Sequence, residues 1–348
     1  MYLNKFLKTF IFASAIAFVG CESDDNTQAP LGSYDNGILV LNEGGTGEVT
    51  YINNDLTTVQ QNIFGTVNGE ENNLGQYTQS IFFEGERAFI ISNGSNKITV
   101  VNRNTFEYIA TISTGFAVPR YGVAYNGKAY VTNLNSFTSS TDDFVSVVDL
   151  NSLTVIGQID INDYAERIVE ADGQLYVSSG SFGSGNKITV IDPVNETVTE
   201  TINVGTAPNS LEERAGTLYV LCGSFSDNSK IVKIDTDTNE IIEEIVFPST
   251  MGNASNLDVA DNRMYFTVGP RIYSVEVNAD QVTDVPLVNT NSTSLYIGYG
   301  FAVDGNRIYI SEAADDFASD GKIFIYSTSG EMIDEIPVGL GPNGFYFN

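Results

Sequence analysis

Seven positions along the chain carry side chains that donate or accept hydrogen bonds at a constant place in a repeat: Gln79, Arg120, Glu166, Asn209, Ser255, Tyr299 and Asn343. The first six each precede a recurring aromatic by ten residues, and the seventh lies in Pro342-Asn343-Gly344, which parallels Pro208-Asn209-Ser210. Brought to one place, such groups would form a concave polar mouth suited to holding a ligand. Four other segments set a ring among small or polar residues: Ser136-Phe137-Thr138, Ser181-Phe182-Gly183, Ser224-Phe225-Ser226 and Asp316-Phe317-Ala318. Aromatics with adaptable polar neighbours are what recognition surfaces use. Arg120, Tyr121 and Tyr299 would add stacking and hydrogen bonds to the four rings. The competing reading is that each Phe packs on a neighbouring blade and the polar positions merely line a water-filled channel.

Composition removes several chemistries. There is no histidine, so Ser-His-Asp and Cys-His nucleophile systems and His-bearing zinc sites are excluded. Two carboxylates alone can hydrolyse a glycoside, but with 44 acidic residues adjacency is cheap. Asp142-Asp143, Glu212-Glu213, Glu243-Glu244 and Asp315-Asp316 read as solvated charges. Asp142-Asp143-Phe144 and Asp315-Asp316-Phe317 repeat a motif with the paired carboxylates a hard cation would need. Asp235-Thr236-Asp237-Thr238-Asn239 imitates the start of a calcium loop but lacks its glycine and its closing glutamate, and reads as a hairpin turn. Cys222, in Tyr219-Val220-Leu221-Cys222, reads as a small buried residue. No catalytic residue, cofactor or metal site is expected, and the chain reads as a non-enzyme.

The elements that would position these groups follow from the repeat. Phe89, Tyr130, Tyr176, Tyr219, Tyr265 and Tyr309 each sit in a short apolar strand, roughly 44 residues apart, a period that marks a β-propeller. A second landmark, a strand closed by an Asx-type turn, recurs at Asn53, Asn102, Asp149, Asp192 and Asp235, with variants after Glu276 and Ser327. The count predicts an all-β, seven-bladed β-propeller over residues 37–348. No helix is expected. Blade one has strands at Ile38–Leu41, Val49–Ile52 and Val59–Ile63 but no innermost strand, and residues 342–347 supply it, so N- and C-terminal strands pair to close the ring. The loops entering each innermost strand share a face with those joining second to third strands, which places the seven polar positions and the four phenylalanines together.

Ahead of the propeller, Lys5 and Lys8 precede the apolar stretch Phe10 to Val19, too short to span a bilayer but right for a secretory signal over residues 1–20. Phe18-Val19-Gly20-Cys21 resembles a bacterial lipobox, which would make Cys21 the lipidated residue. Residues 21–36 read as a flexible tether, and its run Glu22-Ser23-Asp24-Asp25 resembles the surface-export signal of Bacteroidetes lipoproteins. Loss of the two lysines leaves 14 basic residues against 44 acids, a formal charge of −30, so nucleic acid is not an expected partner.

Tyr130-Val131-Thr132-Asn133 resembles the motif of the YVTN-repeat propellers. Val40-Leu41-Asn42-Glu43-Gly44, Leu74-Gly75-Gln76-Tyr77-Thr78-Gln79-Ser80 and Pro119-Arg120-Tyr121 are similar to a narrower group of surface lipoproteins, which includes cobalamin-binding propellers that cap a TonB-dependent outer-membrane transporter. The resemblance implies a lipid-anchored protein outside the outer membrane that binds a small-molecule nutrient on the loop face, a corrinoid first, and hands it to such a transporter. The alternative is a protein-interaction scaffold or adhesion module with no small ligand.

Overall fold

Each recurring aromatic lies on the second strand of a four-stranded antiparallel sheet, and there are seven such sheets in the computed structural model, which describes residues 31–139, 141–180 and 182–348. The sheets are the blades of a seven-bladed propeller. From inside out, blade two runs Thr78–Glu84, Arg87–Ser92, Lys97–Asn102 and Tyr108–Ile112. The innermost strands of blades three to seven are Pro119–Tyr125, Ile168–Ala171, Pro208–Arg214, Ser255–Ala260 and Ile297–Asp304. Each packs against the next around the ring. Middle strands such as Arg87–Ser92 and Lys128–Asn133 are almost wholly buried between neighbouring blades, whereas outer strands such as Thr197–Asn203 are largely exposed.

The aromatics act as ties between blades. Tyr130 is fully buried and donates to the carbonyl of Pro193 at 2.8 Å, and Tyr176 donates to Asn239 Oδ1 at 2.7 Å, each reaching a turn of the following blade. A ring buries apolar area, and its hydroxyl finds an acceptor where the chain turns. The Asx turns form as expected: Asn53, Asn102, Asp149, Asp192 and Asp235 each accept backbone N–H bonds from residues two to five positions on. Asp235 therefore belongs to a hairpin turn.

Blade one is built from Pro342–Phe347, Gly37–Asn42, Glu48–Asn53 and Val59–Gln60. The C-terminal strand pairs antiparallel with Gly37–Asn42, matching Ile38 with Phe347 and Val40 with Phe345, and so closes the ring. Two details differ from expectation. The outer strand stops at Gln60 and a short helix, Ile63–Asn68, follows; Asn62 takes φ 46°, turns the chain and caps Gly65 N–H at 3.1 Å, which lets Ile63 and Phe64 dock in the core. The packed unit also begins before Gly37, because Tyr34 is buried edge-on to Tyr51 and Phe106 and its N–H bonds the carbonyl of Asn104. The signal segment 1–20, Cys21 and the start of the 21–36 segment lie outside the described residues. Among the described residues no helix is long and apolar enough to cross a membrane.

Candidate functional site

The polar repeat positions owe their placement to bulges. Register shifts fall between Thr78 and Ser80, Pro119 and Gly122, Pro208 and Ser210, Ser255 and Asp258, and Ile297 and Phe301. A bulged residue leaves the ladder and its side chain is re-aimed, here toward the channel mouth and the adjacent blade. Gln79, Arg120, Tyr121, Asn209 and Tyr299 occupy such positions, and Asn343 lies in the equivalent irregularity of blade one. Ser255 falls one residue short: its hydroxyl pairs with Thr267 Oγ1 at 3.1 Å, and Asn256 takes the bulge instead.

Most of these groups bind the next blade. Arg120 holds Glu166 by a fork of bonds at 2.7–3.1 Å and also donates to Gln79, linking blades two, three and four. Their side chains are 12% and 10% exposed, which makes this a buried ion pair. Burial opposes the Arg120 charge, but Glu166 beside it more than compensates and raises its pKa. Asn209 donates to Ala254 O at 2.9 Å, Asn256 to Gly298 O at 2.8 Å, and Asn343 to Thr78 O at 2.8 Å. Tyr299 donates to Glu43 of blade one, and burial, reinforced by that bond, raises its pKa. The mouth is thus a belt of inter-blade ties whose hydrogen-bonding capacity is largely spent within the protein.

The loop phenylalanines are different. Phe225, Phe182 and Phe137 are 94%, 74% and 68% exposed, against 39% for Phe317. Packing on a neighbouring blade therefore does not describe the first three. Phe137 and Phe182 lie with centroids 6.0 Å apart, and the Arg120 guanidinium is 6.0 Å from the Phe182 ring, so this pair borders the mouth. Phe317 packs edge-on to Tyr296 at 4.5 Å and Tyr299 at 5.5 Å, with exposed Leu295 in the preceding loop. Phe182 and Phe317 adopt φ 49° and 44°, a left-handed turn that bulky residues adopt at a cost of about 1–3 kcal/mol.

Below the mouth the channel opens into a cavity of about 350 Å³, with a wall that the sequence reading did not assign. Arg167, Glu212, Arg214, Asp258 and Tyr346 line it. Alternation along the innermost strands accounts for them: Glu212 and Arg214 share one side of Pro208–Arg214, and Asp258 follows Asn256 by two. That periodicity, counted from the bulge, was the available signal. Glu212 is consequently not a solvated charge; burial, helped by Asp258 beside it and opposed by Arg214 and Arg167, pushes its pKa up to about 8. Burial also raises Asp258, although the Val303 N–H bonds its carboxylate at 2.7 Å.

Asp143 is likewise no surface charge. It is buried, accepts the Ala165 N–H at 2.8 Å, and is pushed up to about 7 by desolvation. Asp316 is exposed and caps the N–H groups of Ala318 and Ser319. Among the described residues no cluster of three or more acidic or cysteine side chains is placed to hold a metal ion. Cys222 is buried, with its thiol pushed up to about 12 by desolvation, an environment that disfavours the reactive thiolate.

Glu212 and Asp143 set a pH dependence. Their folded pKa values lie above the ordinary carboxylate range, so the folded chain retains protons that the unfolded chain releases, and stability falls as pH rises from about 4.5 to 8. The wild-type protein should melt at a higher temperature at pH 5.5 than at pH 8.5. Glu212→Gln combined with Asp143→Asn should reduce that difference by several degrees in thermal melts. A difference of the same size in the double variant would contradict the assignment.

Residues 36–348 match the family model described as "Domain of unknown function (DUF5074)". No curated protein matches the chain significantly. Among solved structures it is similar to Kuenenia stuttgartiensis hydrazine synthase, at 21% identity and a TM-score of 0.61 over 75% of this chain and 86% of that one. It is also similar to a hypothetical selenium-binding protein from Sulfolobus tokodaii, at 12% identity and a TM-score of 0.66 over 90% and 94% of the two chains. Apo AztD from Citrobacter koseri aligns at 13% identity and a TM-score of 0.54 over 89% and 96%. At these identities the likeness is one of fold.

Proposed function

The chain belongs to the DUF5074 family, and from its loop face we propose that it is a non-enzymatic capture protein that binds a ligand across the exposed phenylalanines and passes it to a membrane transporter. The observation that carries this reading is the exposure of Phe137, Phe182 and Phe225 on consecutive blades, on the face where the channel opens. Scattered apolar residues are ordinary on a protein surface, but rings gathered on one face beside a charged mouth are a recognition feature. They suit a broad ligand with a flat apolar surface and polar edges. The YVTN-type motifs support the finer identity, a surface lipoprotein anchored through Cys21, with a corrinoid as first ligand and a TonB-dependent transporter as recipient.

Titration of the purified protein with cobalamin, haem and oligosaccharides, followed by ligand absorbance or intrinsic tyrosine fluorescence, tests the reading. Binding of at least one should weaken about tenfold or more in the Phe137→Ser, Phe182→Ser double variant, because stacked aromatic contacts are concentrated there. The melting temperature should stay within about 2 °C, since exposed side chains contribute little to folding. Equal affinity in the double variant, or no binding by the wild type, would overturn it. Recovery of an outer-membrane transporter with the wild-type protein but not with the double variant would support the hand-over, whereas capture of an unrelated matrix protein through the same rings would favour a scaffold.

A further inference from the structure

We infer that the throat of the channel is a carboxylate site, in which the Arg167 guanidinium takes the acid group of a small hydroxylated ligand of the uronic-acid kind. Arg167 stands apart from the other charged residues of the ring. Its backbone N–H bonds Ser178 Oγ, but its guanidinium makes no hydrogen bond or ion pair with any described residue; it lies 4.3 Å from the Tyr121 ring centroid and lines the 350 Å³ cavity. Its fork of five donors thus borders the cavity without a partner. The neighbouring Arg120, by contrast, is fully engaged by Glu166.

Charge selects the ligand class. Glu212, on the neighbouring strand, makes no ion pair with Arg167, and burial raises its pKa, which weakens its hold as a counter-charge. An anion entering here gains a guanidinium partner, and charge-assisted hydrogen bonds are stronger than neutral ones. A carboxylate matches the fork with two parallel bonds. A dianion such as phosphate would be repelled more strongly than a monoanion by Asp258 and Asp304, which line the cavity from blades further round the ring. The other walls mix amides and phenols, among them Asn256, Tyr121 and Tyr346, with Arg214 and with apolar side chains such as Phe301 and Phe345. Such walls suit hydroxyl groups, and the volume accepts one sugar-sized acid.

This inference is independent of capture on the loop face, because none of the four phenylalanines lines the throat. Calorimetric titration with sodium glucuronate and sodium galacturonate, against glucose and against sodium chloride at matched ionic strength, tests it. At least one uronate should bind with a Kd of about 1 mM or tighter, and glucose should not. Arg167→Gln should weaken binding about 20-fold or more, and Arg167→Lys, which keeps the charge and stem but loses the fork, about tenfold. The Lys variant decides the matter where the Gln variant fails to fold. The Phe137→Ser, Phe182→Ser protein should bind uronate as the wild type does, so a failed loop-face reading and a failed throat site are told apart. Equal binding of glucose, unchanged affinity in both Arg167 variants, or no heat from either uronate at about 20 mM would overturn the assignment.

Discussion

Removal of residues 342–348 should abolish the cooperative melt or lower its midpoint by more than about 15 °C. The segment is the innermost strand of blade one, and its ladder with Gly37–Asn42 joins the two ends of the propeller in one sheet. Its loss uncovers the edge of Gly37–Asn42, every residue of which is buried, and strips Phe345 and Tyr346 from the interior. A large apolar side chain contributes roughly 1.5–3 kcal/mol on burial, and the backbone ladder and the Asn348 bonds to Tyr34 and Arg103 are lost as well. Against a total stability of about 5–15 kcal/mol, the ring would be left open. Circular dichroism melts of the truncated and full chains give the measurement; superimposable curves would mean that closure does not depend on this strand.

Replacement of Arg120 by Ala should destabilise the protein by about 3–5 kcal/mol, because Glu166 would remain buried without its partner. That corresponds to a fall of roughly 5–10 °C in melting temperature. The cost comes from the charge left behind. Arg120→Met with Glu166→Leu should therefore recover most of the loss, since well-packed apolar residues often replace a buried pair at little cost. Melts of Arg120→Met, Glu166→Leu and the double variant form a cycle, and the coupling should exceed about 2 kcal/mol. Additive losses would show that the two side chains do not depend on each other.

The fold was readable because its determinants are local and repeated. An aromatic flanked by apolar residues and an Asx turn recur in nearly every blade, so an irregular copy is outvoted by the others. The helix Ile63–Asn68 escaped notice because it depends on one residue, Asn62, entering a left-handed conformation that no repeat announces. The loop face was equally legible, since the positions of Phe137, Phe182 and Phe225 follow from the strand count alone. The throat was not. A bulge changes which residues of a strand face inward, and a shift of one residue exchanges Ser255 for Asn256 and brings Asp258 into the cavity. Glu212 was hidden by abundance, because one buried carboxylate among 44 acids carries no mark in the sequence.

The polypeptide begins and finishes its packed course on the same side. Tyr34 and Asn348 meet beside the turn at Asn104, at the far ends of the innermost strands from Phe137, Phe182 and Phe225. An attachment made close to Tyr34 or Asn348 would therefore leave the phenylalanine-bearing side uncovered. A chain coupled to a surface through Asn348 would keep Phe137, Phe182 and Phe225 on the side turned away from that surface.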